Sequence, residues 1–158
     1  MEMEFSPRAL QAEAYFKEGY NCSQAVVLAF ADLMDMDKEA LLRMSSSFGG
    51  GMGRLREVCG SVSGMFLVLG YFEGSGSDRD PQQKKDIYAQ VQELAARSRE
   101  LNGSIICREL LAGVPHTDGG APEERTPAYY KKRPCGKLVT ISAQLLYEHL
   151  KEKGIEGL

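Results

Sequence analysis

The sequence predicts an all-α fold, a compact bundle of about five main helices with a glycine-rich loop. Apolar residues recur at three- and four-residue steps along most of the chain, which is the spacing of one helix face. Capping residues and prolines stand where these segments begin, and glycines stand where they end. We find no convincing alternating strand pattern and no internal repeat, and we expect one helical domain over residues 1–158.

The first third of the chain predicts three helices. The first begins at Pro7, after a serine cap, and ends before Gly19. Asn21 caps the second, with a glutamine three residues later as its capping-box partner. This helix, from about Cys22 to Met34, is apolar on nearly all sides, so we expect it at the centre of the bundle. Asp37 caps a short third helix.

The rest of the chain predicts a glycine loop, a long loop and four more helices. The glycine loop covers residues 48–53, and the longest loop runs from about Val114 to Pro127. The helices are expected from about Leu55 to Tyr71, from Pro81 to Asn102, in a short segment capped by Ser104, and from Pro134 to just before Gly154.

Composition and charge exclude several classes of protein. The net charge is -3, with 43% hydrophobic and 26% charged residues, which is typical of a folded globular chain. The chain lacks the basic stripe of a nucleic-acid-binding protein and the polybasic anchor of a membrane-surface protein. Its longest uncharged stretch, residues 58–72, is short and rich in small residues, so we expect no membrane span. No signal peptide is visible at the start, so we expect a cytoplasmic protein with reduced cysteines.

Four cysteines are the candidate catalytic residues and the candidate metal ligands: Cys22, Cys59, Cys107 and Cys135. None belongs to a C-x-x-C pair, so the signatures of zinc ribbons, thioredoxin-type proteins and covalent haem are absent. In the expected helices, all but Cys59 fall in a first turn, where free N–H groups and the helix dipole favour an anion. We therefore predict that the pKa values of these thiols are lowered. Both a metal site and a nucleophile require the thiolate form.

Six glycines are candidate cofactor-binding residues. Gly60 and Gly64 lie four residues apart beside Cys59, and small residues there leave space for a cofactor or for a tightly packed second helix. The glycine loop contributes Gly49, Gly50, Gly51 and Gly53, whose backbone N–H groups could meet an anion next to two arginines. An ordinary turn is the simpler interpretation of that loop. Both histidines, His116 and His149, are predicted as surface residues and not as ligands.

These motifs together resemble the C-GCAxxG-C-C family of redox proteins. The resemblance uses all four cysteines in order, and it rests on Gly-Tyr-Asn-Cys-Ser-Gln-Ala-Val at 19–26, Phe-Gly-Gly-Gly-Met-Gly-Arg at 48–54, Glu-Val-Cys-Gly-Ser-Val-Ser-Gly at 57–64, Cys-Arg-Glu-Leu at 107–110, and Cys135. Ser61 stands where the family pattern usually has alanine, so a hydroxyl is expected near Cys59. The resemblance implies a redox-active protein. It also extends to the helical domain of split-Soret cytochromes c, in which a helical bundle is thought to hold an iron–sulfur centre.

Three functional hypotheses follow. In the first, the four thiolates converge on an iron–sulfur cluster or a zinc ion, and a cluster would serve electron transfer to an unknown redox partner. In the second, the protein is metal-free and cycles between dithiol and disulfide, with Cys22 and Cys135 as candidate nucleophiles. In the third, it is a non-enzymatic helical binding module whose cysteines only pack. The helix that is apolar on nearly all sides is compatible with a homodimer.

Overall fold

A computed structural model describes residues 3–77 and 79–158, and in these residues the all-α prediction is confirmed. Six helices have seven residues or more, and three are shorter. In chain order they are α1 (Pro7–Lys17), α2 (Cys22–Leu28), α3 (Lys38–Ser46), α4 (Gly49–Met52), α5 (Gly60–Glu73), α6 (Pro81–Asn102), α7 (Cys107–Leu110), α8 (Pro127–Lys132) and α9 (Cys135–Glu152). None of these helices is both long and apolar enough to cross a lipid bilayer.

The helix starts are fixed by the caps that the sequence predicts. At α2, Asn21 Oδ1 accepts from the N–H of Gln24 at 2.9 Å, and Gln24 Oε1 accepts from the N–H of Asn21 at 3.1 Å. The side chains of Ser6, Asp37 and Asp80 accept in the same way at the starts of α1, α3 and α6. These bonds satisfy first-turn N–H groups that have no partner inside the helix.

The short helix α2 lies at the centre, as its apolar composition predicts. It packs against α1, α3, α5 and α9, and Ala25, Val26 and Val27 are almost wholly buried. Its apolar faces are therefore covered within the chain. The helix ends at Leu28 and does not continue to Met34, because the chain tightens into a 3-10 turn over Ala31–Leu33.

The last long helix, α9, packs on α1 and α5, and α6 covers its outer side. This cover explains why the prediction of a surface position for His149 is wrong. Its side chain is only 1% exposed, and Nε2 lies 2.7 Å from Oε1 of Gln90 on α6. His116 lies half-buried in the long loop, with Nδ1 2.7 Å from the carbonyl oxygen of Val114.

The prediction of a helix from about Leu55 is wrong at its start. Val58 instead forms an isolated antiparallel β-bridge with Ile106, and α5 begins at Gly60. Residues just before Cys107 are likewise extended, so α7 begins at Cys107 and not after Ser104. Both segments are extended because backbone N–H and C=O groups of one hydrogen-bond to those of the other. This pairing joins distant parts of the chain, so the local sequence does not reveal it.

Two further segments differ from the expected loops. The glycine loop contains a short helical turn, α4, in which Gly50 and Gly51 adopt left-handed backbone angles. The long loop ends in the short helix α8, capped by Thr126, whose hydroxyl accepts from the N–H of Tyr129 at 3.2 Å. Its Thr-Pro start is a helix signal that the sequence interpretation assigned to the loop.

Candidate four-cysteine site

All four cysteines line one cavity of about 60 Å³, hereafter the thiol cavity. All four are free thiols, and no disulfide joins them. Apolar side chains line the cavity, including Phe16, Leu110, Leu111 and Leu138, and so do Arg56, Arg125, Tyr129 and Arg133. The site is thus a small enclosure with both apolar and cationic side chains in its wall.

The cysteines reach this cavity because four helices begin at it. Cys22, Cys107 and Cys135 are the first residues of α2, α7 and α9. Cys59 is the residue immediately before α5. The predicted first-turn placement is confirmed for three cysteines, and the structure adds the fourth, which the sequence interpretation had placed inside a helix.

The extended segments before α5 and α7 hold two of the cysteines together. The N–H of Cys59 donates to the carbonyl of Ile105 at 2.8 Å, and the N–H of Cys107 donates to the carbonyl of Glu57 at 2.6 Å. These bonds flank the bridge between Val58 and Ile106. Two cysteines that are 48 residues apart in sequence are therefore positioned by one backbone pairing.

Two glycines provide the room that the thiols occupy. A Cβ atom on Gly60 would lie 2.4 Å from Sγ of Cys22 and 2.8 Å from the carbonyl oxygen of Phe48. A Cβ atom on Gly51, whose φ is +71°, would lie 2.6 Å from Cβ of Cys107. Real Cβ atoms stay more than 3.0 Å from such neighbouring atoms. Neither position therefore accepts a side chain without displacing a cysteine or the backbone.

The other candidate glycines have different surroundings. Gly50 lines the thiol cavity, and its backbone amide lowers the pKa of Cys22 against the larger increase from burial. Gly49, Gly50 and Gly53 line a second, polar cavity that adjoins the first. Gly64 lets α5 approach α2, because a Cβ there would lie 2.7 Å from the carbonyl oxygen of Ser23. The tight-packing alternative therefore describes Gly64, whereas Gly60 both packs closely and faces the thiols.

The prediction of lowered thiol pKa values is wrong for three of the cysteines. Burial raises the pKa of Cys22, and it raises the pKa of both Cys59 and Cys135 to about 12. The neighbouring Cys22 thiol adds to the shift at both of these positions. Desolvation of a thiolate in this enclosure outweighs the helix starts and the hydrogen bonds that favour the anion. Without a metal, these thiols are protonated at neutral pH.

Arginines line the thiol cavity, although no prediction from the sequence connected them with the cysteines. Nη1 of Arg56 lies 3.7 Å from Sγ of Cys107, and Nη2 lies 3.4 Å from Oε1 of Glu123. Arg133 donates to the same carboxylate, and its guanidinium stacks 4.9 Å from the ring centre of Tyr129. The available sequence signal was the position of Arg133 two residues before Cys135.

A hydroxyl near Cys59 is confirmed. Oγ of Ser61 lies 3.1 Å from Sγ of Cys59 and accepts a hydrogen bond at 3.0 Å from Oγ of Ser142 on α9. Both serines are buried. The residue that departs from the family pattern therefore links one thiol to the helix opposite.

The thiol cavity supplies the donor atoms for a metal centre, but the described side chains are not already arranged around an ion position. Within residues 3–77 and 79–158, no three His, Cys, Asp or Glu side chains are arranged to hold a metal ion. Four thiols on one enclosure, with glycine at the point of closest approach to Cys22, nevertheless match the donor set of a four-thiolate centre. The residues fit such a centre in the chemistry of their donor atoms.

The fold and the site define a class of helical proteins in which four free cysteines lie at the starts of four helices. The family described as "Putative redox-active protein (C_GCAxxG_C_C)" matches residues 20–149, and the chain belongs to this family. The resemblance found in the sequence is thereby confirmed. No curated protein and no solved structure matches the chain.

Proposed function

We propose that Cys22, Cys59, Cys107 and Cys135 are the ligands of a metal centre, in the first place an iron–sulfur cluster, and that the protein transfers electrons. The observation that carries the proposal is the placement of all four thiols on one cavity. Four cysteines match the ligand number of both common cluster types. An iron–sulfur cluster bound there would supply one-electron redox chemistry.

The arginines that line the thiol cavity support this proposal. Four thiolates in an enclosure of low polarity carry negative charge that is costly to bury without a counter-charge. Arg56 and Arg133 line the same cavity, and their side chains are only 4% exposed. They would offset the negative charge of the bound thiolates, while the apolar side chains that also line the cavity limit the access of water.

The raised thiol pKa values favour metal ligation over a permanently activated nucleophile. A buried thiol with a pKa of about 12, as at Cys59 and Cys135, holds its proton at neutral pH. Coordination to a soft cation removes that proton outright. Zinc would satisfy four thiolates equally well as a closed structural site.

The test is the replacement of each cysteine by serine, one at a time, with metal content measured after anaerobic purification. Each variant is expected to lose most of the bound iron and sulfide, because serine keeps the size of the side chain but not its affinity for soft metals. Ser23→Ala is the matched control, since it changes a buried residue beside Cys22 on the same helix without removing a thiol. A cysteine variant that retains the iron content of the unaltered protein would contradict that residue's place in the ligand set.

A second candidate function is metal-free thiol–disulfide chemistry, and the presence of four free thiols on one cavity favours it. Cys22 would be the central thiol, because it influences the pKa values of Cys59 and Cys135 and is itself influenced by Cys107. Two thiols would give up two electrons and two protons to an oxidant and form one S–S bond. Treatment of metal-free protein with diamide, a two-electron oxidant, should then produce a disulfide that contains Cys22. Peptide mapping that finds only disulfides without Cys22 would contradict this candidate.

A further inference from the structure

A polar cavity of about 310 Å³ adjoins the thiol cavity, and we call it the arginine cavity. Six residues line both: Asn21, Gly50, Arg56, Arg125, Tyr129 and Arg133. A volume of this order is at the lower end of what small-molecule sites offer. A solute held there would therefore be next to the cysteines, separated from them only by shared walls.

The charge of the arginine cavity is unbalanced. Arg54, Arg56, Arg125 and Arg133 line it, and among the residues that the structure describes Glu123 is the one carboxylate in its wall. This surplus of positive charge stands in a chain whose net charge is -3. Glu123 is shared by three of the arginines, with contacts of 3.5 Å to Arg54 and 3.4 Å to Arg56 and a hydrogen bond from Arg133.

Such a surplus is costly in a buried position. The side chains of Arg56 and Arg133 are 4% exposed, and a buried cation normally requires its own anionic partner. Glu123 carries one negative charge against four guanidinium groups, so positive charge remains at Arg125 even where Arg56 and Arg133 face the thiolates of a bound centre. The arrangement is therefore electrostatically complementary to an added anion.

Arg125 is the more accessible of the two arginines that keep donors for that anion in the described part of the chain, because Arg133, which uses Nη2 on Glu123, is buried. Arg54 uses Nε, Nη1 and Nη2 on Gly119, Glu123 and Thr117, so it holds the wall of the cavity in place. Among the described residues, the hydrogen bond of Arg125 is from Nη1 to the carbonyl of Phe16 at 2.8 Å. Its guanidinium lies 4.4 Å from the ring centre of Phe16, which fixes its orientation, and the residue is only half-buried.

We propose that the arginine cavity binds the oxyanion group, carboxylate or phosphate, of a small molecule, with Arg125 as its principal ligand. The planar guanidinium presents paired N–H donors that match two oxygens of such a group. That the bound molecule exchanges electrons with the neighbouring cysteines rests on the proposed redox function. The binding itself does not depend on that function.

The test is titration calorimetry with two probes, inorganic phosphate and malonate, each at an ionic strength held constant with KCl. The two probes distinguish a phosphate site from a carboxylate site. We expect saturable binding of at least one probe, weakened about tenfold or more in Arg125→Gln, because a hydrogen bond to a charged group is lost. Arg97→Gln is the matched control, since Arg97 lies on α6 and pairs at 2.8 Å with Glu148, away from the cavity. It should bind the probe as the unaltered protein does.

The absence of saturable binding of both probes would overturn the proposal, and so would equal binding by Arg125→Gln. If Arg125→Gln does not fold, Arg125→Lys replaces it in the test. This variant keeps the charge but loses the paired donors, so it should still bind the probe more weakly. The calorimetric signal requires neither metal nor electron transfer. A protein that contains a cluster but binds neither anion would contradict this inference alone, and a protein that binds an anion without any metal would contradict only the proposed metal centre.

Discussion

The thiol of Cys59 has a chemical environment that no other cysteine in the described residues shares, because the hydroxyl of Ser61 lies 3.1 Å from its sulfur. That hydroxyl lowers the thiol pKa slightly against a much larger increase from burial. Ser142 completes the chain of hydroxyls across to α9. A single serine therefore affects both the reactivity of a cysteine and the contact between two helices.

Replacement of Ser61 by alanine should raise the pKa of Cys59 further and leave the Ser142 hydroxyl without its acceptor. We expect slower alkylation of Cys59 in metal-free protein and a loss of about 1 kcal/mol in the free energy of unfolding. Mass spectrometry after timed alkylation measures the first effect, and urea unfolding measures the second. Ser63→Ala, on the same helix, is the control. An unchanged alkylation rate at Cys59 would contradict the assigned contact.

The buried thiols should also lose their protons only at high pH. Because the pKa values of Cys59 and Cys135 are about 12, their alkylation by iodoacetamide in metal-free protein should keep accelerating as the pH rises above 9. An ordinary thiol has a pKa near 8.5, so its rate levels off shortly above that pH. A plateau below pH 9 at both positions would contradict the raised pKa values, because it would show that the helix starts outweigh burial.

At the scale of elements, the site depends on where helices begin and on how closely α2 and α5 approach. The caps at Asn21 and the first-turn position of Cys22 could be predicted from the sequence, because capping is local chemistry. The extended pairing of Val58 with Ile106 could not, because its two partners are distant in the chain. For the same reason the predicted direction of the thiol pKa shifts was wrong, since burial is decided by tertiary packing.

A methyl group at position 60 should disrupt this close approach. In Gly60→Ala the new Cβ would overlap Sγ of Cys22 and the carbonyl oxygen of Phe48, so one of them must move. We expect a loss of about 1–3 kcal/mol in the free energy of unfolding, typical of overpacking, together with reduced metal content.

Gly70→Ala is the matched control for this change. It lies on the same helix, and a Cβ there would meet nothing within 4 Å. Alanine at this position should stabilise α5 by about 0.5–1 kcal/mol through its better helix propensity. Urea unfolding of both variants measures the difference, and equal stabilities would contradict the role assigned to Gly60.

At the scale of the whole molecule, Glu123 ties the long loop to the site. It receives Arg54 and Arg56 from the chain after α4 and Arg133 from the chain before α9. Burial opposes its ionisation, but the hydrogen bond and charge of Arg133 hold the pKa of this carboxyl below its usual value. This convergence could not be predicted from the sequence, because the four residues are spread over 80 positions.

Glu123→Gln should therefore destabilise the protein in a pH-dependent way. A lowered carboxyl pKa contributes stability that is complete above the unfolded-state value and is lost as the pH falls through the folded-state value. We expect a deficit of about 1–3 kcal/mol at pH 7 relative to the unaltered protein, and convergence of the two as the pH falls below 4. Unfolding free energies measured from pH 3 to pH 7 provide the comparison, and a deficit that does not depend on pH would contradict the assignment.

We propose that the four cysteines on one cavity hold a redox-active metal centre. The visible absorption spectrum of protein purified without oxygen, combined with analysis of iron, sulfide and zinc, tests this proposal most directly. We expect a brown protein in which iron is matched by sulfide and the absorption bands bleach reversibly on reduction. A colourless protein with stoichiometric zinc, or one without metal and with four titratable thiols, would contradict it.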